Sequence, residues 1–236
     1  ITGVQEFMGL EFNVNEHVLI PRQDTEILVE EVMKDEYDGS RILDMCTGSG
    51  CILISLLHYS NWCEGVGVDI SAEALEIAKE NASSLLTEEK YPTWLQSNLF
   101  EKVEGRFDII VSNPPYFIDS LKCPDGQRNT ARHTDTLDAD RLIGKVSELL
   151  TSDGRFSIIL PAEQTEDLIR VAGEKGLHPS RQTWVITRPG LSPKRILMEF
   201  RKIPVTLQPD ELVIELERHV YSEDYIALTR DFYLKM

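Results

Sequence analysis

Residues 41–58, RILDMCTGSGCILISLLH, decide how the rest of the chain is read. Arg41 to Met45 is an apolar run of strand length, and Cys51 to His58 has the apolar density of a buried helix. Between them stands Cys46-Thr47-Gly48-Ser49-Gly50. Glycines between a strand and a helix let the backbone approach a ligand closely, at the positive end of the helix. The pattern recurs downstream. Val66 to Ile70 reads as a second strand, and Ser71 can cap a helix from Ala72 to Ser83, with Glu73, Glu76 and Lys79 facing solvent. Thr93 to Gln96 is a short third strand, and Asp108 to Ser112, within the apolar run from Phe107, is a fourth. This alternation predicts a parallel sheet with helices on both faces. Its ligands bind at the carboxyl ends of the strands, where the glycine loop, Asp69, Asn98 and Asn113 all fall.

Outward from this core, Val4 to Phe12 reads as short strands broken at Gly9, and Val18 to Ile20 as another strand ending at Pro21. Asp24 is placed to cap a helix through Met33. Phe117 to Thr136 is a polar loop, long for a compact domain and of the kind that carries function; it holds Lys122, Arg128, Arg132 and His133. A helix follows over Leu137 to Leu150, a strand over Gly154 to Pro161 and a helix from Ala162 to Lys175, closed by Gly176. Gln182 to Thr187 and Arg195 to Phe200 can pair as antiparallel strands around a loop containing Arg188 and Lys194. The tail offers a strand at Glu211 to Leu216 and a helix at Ser222 to Phe232. One domain is expected over 1–236: an N-terminal hairpin and helix (1–35), a core (36–202) and a C-terminal extension (203–236).

The 236 residues, 42% hydrophobic and 27% charged, suffice for one sizeable core. Ile1 in place of Met suggests a fragment or trimmed chain. No apolar run reaches membrane-span length and no signal peptide is legible. Cys46, Cys51, Cys63 and Cys123 show neither CxxC pairing nor zinc spacing with His, so free thiols in a reducing, cytoplasmic setting are expected, with no metal. The net charge of −16 is uneven. Residues 1–117 carry 7 basic and 21 acidic side chains, hence −14; residues 118–236 carry 17 and 19, hence −2. A basic face for nucleic acid can come only from the second part.

The chemistry concentrates at Asn113-Pro114-Pro115-Tyr116, with Phe117 behind it. Two prolines end the strand. The Asn113 side-chain oxygen and the Pro114 carbonyl can both accept hydrogen bonds from a planar NH2 group. Held so, the nitrogen lone pair turns out of its conjugated plane toward an electrophile, while Tyr116 and Phe117 stack on that plane. A plain strand-ending turn with a packed Tyr is the alternative. A glycine loop with an acid about twenty positions on suits a nucleoside, with Asp69 accepting from ribose hydroxyls. A nicotinamide dinucleotide needs glycines at offsets 0, 2 and 5; Cys46, Gly48 and Cys51 stand there, so two of three fail. A nucleoside without phosphates fits better, and S-adenosylmethionine is the evident one.

Asp44 to Gly50, Asp69 and Asn113 to Tyr116 resemble the motifs of class I S-adenosylmethionine-dependent methyltransferases, in the branch that methylates amino groups of adenine, cytosine or glutamine. The resemblance implies a Rossmann-like α/β fold: a mostly parallel seven-stranded sheet, helices on both faces and an antiparallel last strand. It implies cofactor contacts at Asp44, Thr47, Gly48, Gly50, Asp69, Ile70, Asn98, Leu99 and Asn113, with S-adenosylhomocysteine as product. Cys46 replaces the family's first loop glycine, and Asn98 stands where an Asp is usual. Asn113, Pro114 and Tyr116 take the catalytic positions. In finer detail, residues 1–116 (ITGVQEFMGLEF, VLIPRQDTE, ILDMCTGSGCI, SNLFEKVEGRFDIIVSNPPY) resemble release-factor glutamine methyltransferases, the HemK/PrmC family, without that family's N-terminal helical domain. Residues 113–236 (NPPYF, RNTARHTDTL, RPGLSPKRILMEF, YSEDYIALTRDFYLKM) resemble the tRNA adenine N6-methyltransferases acting beside the anticodon of valine tRNA, the YfiC family. Together with the charge break, this suggests a chimera joined near residue 117; a natural divergent homologue is the alternative. The substrate is then adenine N6 in tRNA, met by Tyr116, Phe117, Arg128, Arg132, Arg188, Lys194 and Arg195, or release-factor glutamine. A folded cofactor binder without turnover is a third reading.

Overall fold

The computed structural model describes residues 3–114, 139–218 and 220–229. A hairpin of β1 (Val4–Phe7) and β2 (Leu10–Asn13) leads to α1 (Gln23–Met33). Then come β3 (Arg41–Met45), α2 (Cys51–Tyr59), β4 (Glu64–Asp69), α3 (Ala72–Leu85), β5 (Thr93–Gln96) and β6 (Phe107–Ser112). Beyond residue 138 follow α4 (Ala139–Leu149), β7 (Leu150–Pro161), α5 (Thr165–Glu174), β8 (His178–Ile186), β9 (Arg195–Arg201) and β10 (Gln208–Val213). A small ribbon of β11 (Glu215–Glu217) and β12 (Val220–Tyr221) precedes α6 (Glu223–Thr229).

The central sheet has the order β10-β8-β9-β7-β6-β3-β4-β5. All neighbours run parallel except β9, which is antiparallel to both β7 and β8. The expected seven strands and antiparallel last core strand are present; the eighth, β10, comes from the C-terminal extension. It pairs parallel to β8, with Leu212 opposite Val185, and covers an edge that β8 would otherwise leave open. The chain winds from β3 out to β5 and returns to β6 on the other side of β3. The switch point of the sheet is therefore between β3 and β6.

Strand side chains alternate between two cores, as the period of two requires. Ile42, Ile109, Val111, Ile159 and Leu197 face the hairpin, α1 and α2. Leu43, Met45, Ile110, Phe156 and Ile158 face α4 and α5. The hairpin is part of the first core: Phe7, Met8 and Phe12 are fully buried. The Met8 amide donates to Glu26 Oε1 at 2.8 Å, and the Met8 carbonyl accepts from the Tyr59 hydroxyl at 2.6 Å.

Two local expectations are corrected. Val18 to Ile20 forms no strand; among the described residues no strand pairs with it, and Leu19 and Ile20 are exposed. Asp24 does not cap α1, which starts one residue earlier, at Gln23, after an extended Arg22. Asp24 lies in the first turn, where its carboxylate is engaged by Thr25 and Arg195. Ser71 does cap α3, its hydroxyl oxygen accepting from the Ala74 amide at 3.0 Å.

The other end of α1 is tied by arginines. Arg155 is only 5% exposed and donates to Asp35 at 2.7 Å and to the Val32 carbonyl at 2.9 Å. Arg201 reaches Asp35 at 3.2 Å, and Arg181 reaches the Glu31 carbonyl at 3.0 Å.

Gly67 on β4 is opposite Trp94 on β5. A Cβ at Gly67 would collide with the Trp94 ring, which also lies 3.0 Å from where a Cβ at Gly50 would be. Gly67→Ala is therefore expected to cost about 1–3 kcal/mol through overpacking, read as a lower urea midpoint. An unchanged midpoint would show that the ring is not held there.

Candidate functional site

The carboxyl ends of β6, β3, β4 and β5 are neighbours on one edge of the sheet. At the end of β3 the chain turns through Cys46 (φ 61°), Gly48 (φ 55°) and Gly50 (φ 80°), the last serving as the left-handed N-cap of α2. The left-handed turn at residue 46 is one that Cys adopts only with strain. Burial pushes the Cys46 and Cys51 thiols up to about 12, so neither is a reactive thiolate.

The loop is held from three sides. Asp44 is fully buried, and its Oδ2 accepts from the Thr47 hydroxyl at 2.6 Å. Loss of water pushes its carboxyl up to about 7, against the opposing pull of that hydroxyl. Asp69, at the end of β4, accepts from the Gly48 amide at 2.9 Å and from the Ser71 amide at 3.0 Å, one on each oxygen. Asn81, buried on α3, donates to the Ser49 carbonyl at 2.9 Å and to the Asn13 carbonyl at 3.1 Å. It thereby joins the loop to the hairpin.

These contacts divide the predicted residues by role. Asp44 and Thr47 support the loop from inside. Gly50 faces Ile54, Trp94 and Ala78. Among the described residues a Cβ at Gly48 would meet nothing within 4 Å, so its backbone is bare on that side. Among the described residues Asp69 accepts these two bonds, and a carboxylate offers about four acceptor sites. Ile70, beside it, is 66% exposed. An acid with spare acceptors, an exposed apolar side chain and bare loop backbone fit the sugar and base of a nucleoside. Asn98 is exposed, and its amide donates to Glu101 at 3.3 Å. With Leu99 it lines a hollow of about 340 Å³ against Arg141 and Lys145 of α4. Neither Asp69, Asn113 nor the glycine loop lines that hollow.

Asn113 follows β6, and its Nδ2 donates to Thr25 Oγ1 of α1 at 3.1 Å. Pro114 is buried. Pro115, Tyr116, Phe117, Lys122, Arg128, Arg132 and His133 lie outside the described residues. Arg188 is exposed, with Nε 4.0 Å from Glu215 Oε2. Lys194 has an exposed side chain on a backbone pinned to Val185 and Ala162. Arg195 is corrected: it pairs with Asp24 at 3.5 Å and its side chain is 19% exposed, which suits an internal contact rather than a phosphate. Thr25, Asn81 and Trp94 were not foreseen. A polar residue on the apolar stripe of Ala74, Ile77 and Ala78 was a legible signal for Asn81; Thr25 had none.

Residues 22–170 match the family described as Methyltransferase small domain. The chain belongs to that family. Its fold agrees: a predicted O-methyltransferase from Agrobacterium tumefaciens superposes with TM-score 0.65 at 18% identity, over 86% of this chain and 93% of that one. Among curated relatives, the tRNA1(Val) (adenine(37)-N6)-methyltransferase of Phocaeicola vulgatus is 46% identical over 202 residues, 86% of either chain. The protein of the same name from Bacteroides fragilis is 41% identical over 201 residues, 84% of each. An alignment of that length necessarily crosses residue 117, so the suspected junction and the release-factor parent find no support. The ion pairs argue the same way. Arg155, Arg181, Arg195 and Arg201 from one side of residue 117 meet Asp35, Glu31 and Asp24 from the other. Part of the charge break is therefore complementarity within one fold.

Two measurements probe this site. Asp69→Ala is expected to weaken S-adenosylhomocysteine binding by about 1–3 kcal/mol in calorimetry, through lost charge-assisted hydrogen bonds; equal binding would remove Asp69 from the site. Asp44 holds its proton more tightly when folded, so its contribution to stability is lost as pH rises from the ordinary 3.8 to about 7. Asp44→Asn should abolish that loss, gaining roughly 2–4 kcal/mol on the wild type across the window. Parallel stability curves from pH 4 to 8 would contradict the buried, protonated Asp44.

Proposed function

We propose that this protein moves a methyl group from S-adenosylmethionine to the exocyclic N6 amine of an adenine in tRNA. The observation that carries the reading is the Asn113 amide, anchored at the end of β6, beside the glycine loop across the β3–β6 switch point. The names of the curated relatives give the substrate class.

Asp69 holds ribose hydroxyls, Ile70 flanks the adenine of the cofactor, and the Gly48 backbone admits it closely. When bound, S-adenosylmethionine supplies a sulfonium-activated methyl group and leaves as S-adenosylhomocysteine. Asn113 Oδ1 and the Pro114 carbonyl accept hydrogen bonds from the substrate NH2. This orients the nitrogen lone pair out of the base plane, so that positioning provides most of the rate. No residue need act as a dedicated base, because the proton can leave after the nitrogen becomes cationic. Tyr116 and Phe117 stack on an extruded base. Arg128, Arg132, Arg188 and Lys194 meet phosphates. The last two belong to the loop after β8, three strand spacings from β6, hence roughly 14 Å along the same edge.

An acidic protein is an unusual RNA binder, but −14 overstates the field of residues 1–117. Asp24, Glu31 and Asp35 are paired with arginines of the second part, and Asp44 is buried with a raised pKa. The reaction belongs where tRNA is found, in the cytoplasm. Among the described residues no helix is long and apolar enough to cross a membrane.

Labelled cofactor offered with unmodified valine tRNA and with a release factor tests the substrate. Label is expected in tRNA, on adenine N6. Label only on release-factor glutamine would overturn the assignment, and label in neither would favour a binder without turnover. Asn113→Ala should remove most transfer, on the order of 100-fold, while S-adenosylhomocysteine affinity stays within a few fold; an equal loss of both would make Asn113 structural.

A further inference from the structure

We propose that Thr25 is a positioning residue that fixes which end of the Asn113 amide faces the substrate, as the middle of a directional chain from Arg195 through Asp24. The inference rests on the role proposed for Asn113. An Asn side chain has a donor end and an acceptor end of nearly equal shape, and only the acceptor end can hold a substrate NH2. Something must choose between them.

The choice follows from hydrogen-bond polarity. Arg195 Nε lies 3.5 Å from Asp24 Oδ2. A carboxylate paired with a guanidinium carries no proton to donate and can only accept. The Thr25 hydroxyl donates to Asp24 Oδ1 at 3.4 Å. Having given away its one proton, the Thr25 oxygen can only accept from Asn113. The donor there is Nδ2, at 3.1 Å. The Asn113 oxygen is thereby turned to the opposite side of the amide, the side left for the substrate. Thr25 is 3% exposed, so water has little access to compete for either bond. The two residues are 88 positions apart and meet only in the fold.

Among the described residues the Thr25 side chain bonds to Asp24 and Asn113, so its loss is expected in kcat rather than in cofactor affinity. Thr25→Val keeps shape and removes the acceptor. It should lower kcat for tRNA methylation about 10- to 100-fold, the consequence of an unmade buried hydrogen bond, with S-adenosylhomocysteine affinity within about threefold. Thr25→Ser restores the hydroxyl and should recover kcat to within about threefold of wild type. Asp24→Asn can donate to Thr25, which reverses the chain and frees Asn113 to flip; it should also lower kcat, by about 3- to 30-fold. Unchanged kcat in Thr25→Val, equal impairment in Thr25→Ser, or a parallel loss of S-adenosylhomocysteine binding would each overturn the inference. Wild-type kcat in Asp24→Asn would overturn the directional chain. Asn113→Ala run alongside separates the two levels: retained turnover there means that the reading of Asn113 has failed, whatever Thr25 does.

Discussion

The site depends on α1 being clamped at both ends by arginines from the far side of the sequence. β9 is the one antiparallel strand of the sheet. Arg195 at its start therefore lies at the edge where the parallel strands end, and Arg201 at its finish lies at the opposite edge. Asp24 in the first turn of α1 and Asp35 just past its end meet these two arginines. Eleven helical residues rise about 16 Å and six strand steps about 20 Å, so the two spans match. Of these groups Arg155 is the buried one, and removing Asp35 would take away one of its two carboxylate partners, a larger loss than an exposed pair represents. The clamp presents Thr25 to Asn113, and through it an N-terminal helix contributes to a site otherwise made of strand ends.

The glycine loop is a second case of a local motif held by distant groups. Its sequence permits the turns, but its position comes from Asp69 on β4, Asn81 on α3 and the Trp94 ring on β5. Trp94 occupies space that side chains at Gly50 and Gly67 would need. Glycine thus serves two purposes in one region. At Gly48 it leaves the backbone bare, and at Gly50 and Gly67 it admits an indole from below. A fingerprint read only as ligand contact merges these roles.

The net charge teaches the same caution. A −16 chain suggests a uniformly acidic surface, yet several carboxylates of the first part are turned inward against arginines of the second. Charge counted along a sequence becomes surface potential only after the internal pairs are subtracted. Such pairing between acids and partners far apart in the chain accounts for part of the change near residue 117.

The sequence alone determined the doubly wound core, because strand and helix periodicities are local and glycine, proline and capping signals mark where each element ends. Ser71, the antiparallel pairing of β8 with β9 and the convergence of Asp69 and Asn113 on one edge were all legible that way. The tertiary structure alone decided what depends on neighbours remote in the chain. Asp24 reads as a cap until Arg195 and Thr25 claim its carboxylate. Val18 to Ile20 reads as a strand until the described strands leave it unpaired and Leu19 and Ile20 exposed. Arg195 reads as a phosphate contact until β9 places it against α1. The tail reads as an extension until the open edge of β8 takes β10. Propensity speaks for a few residues at a time, whereas a hydrogen bond between Thr25 and Asn113 needs the whole sheet to bring its two ends together.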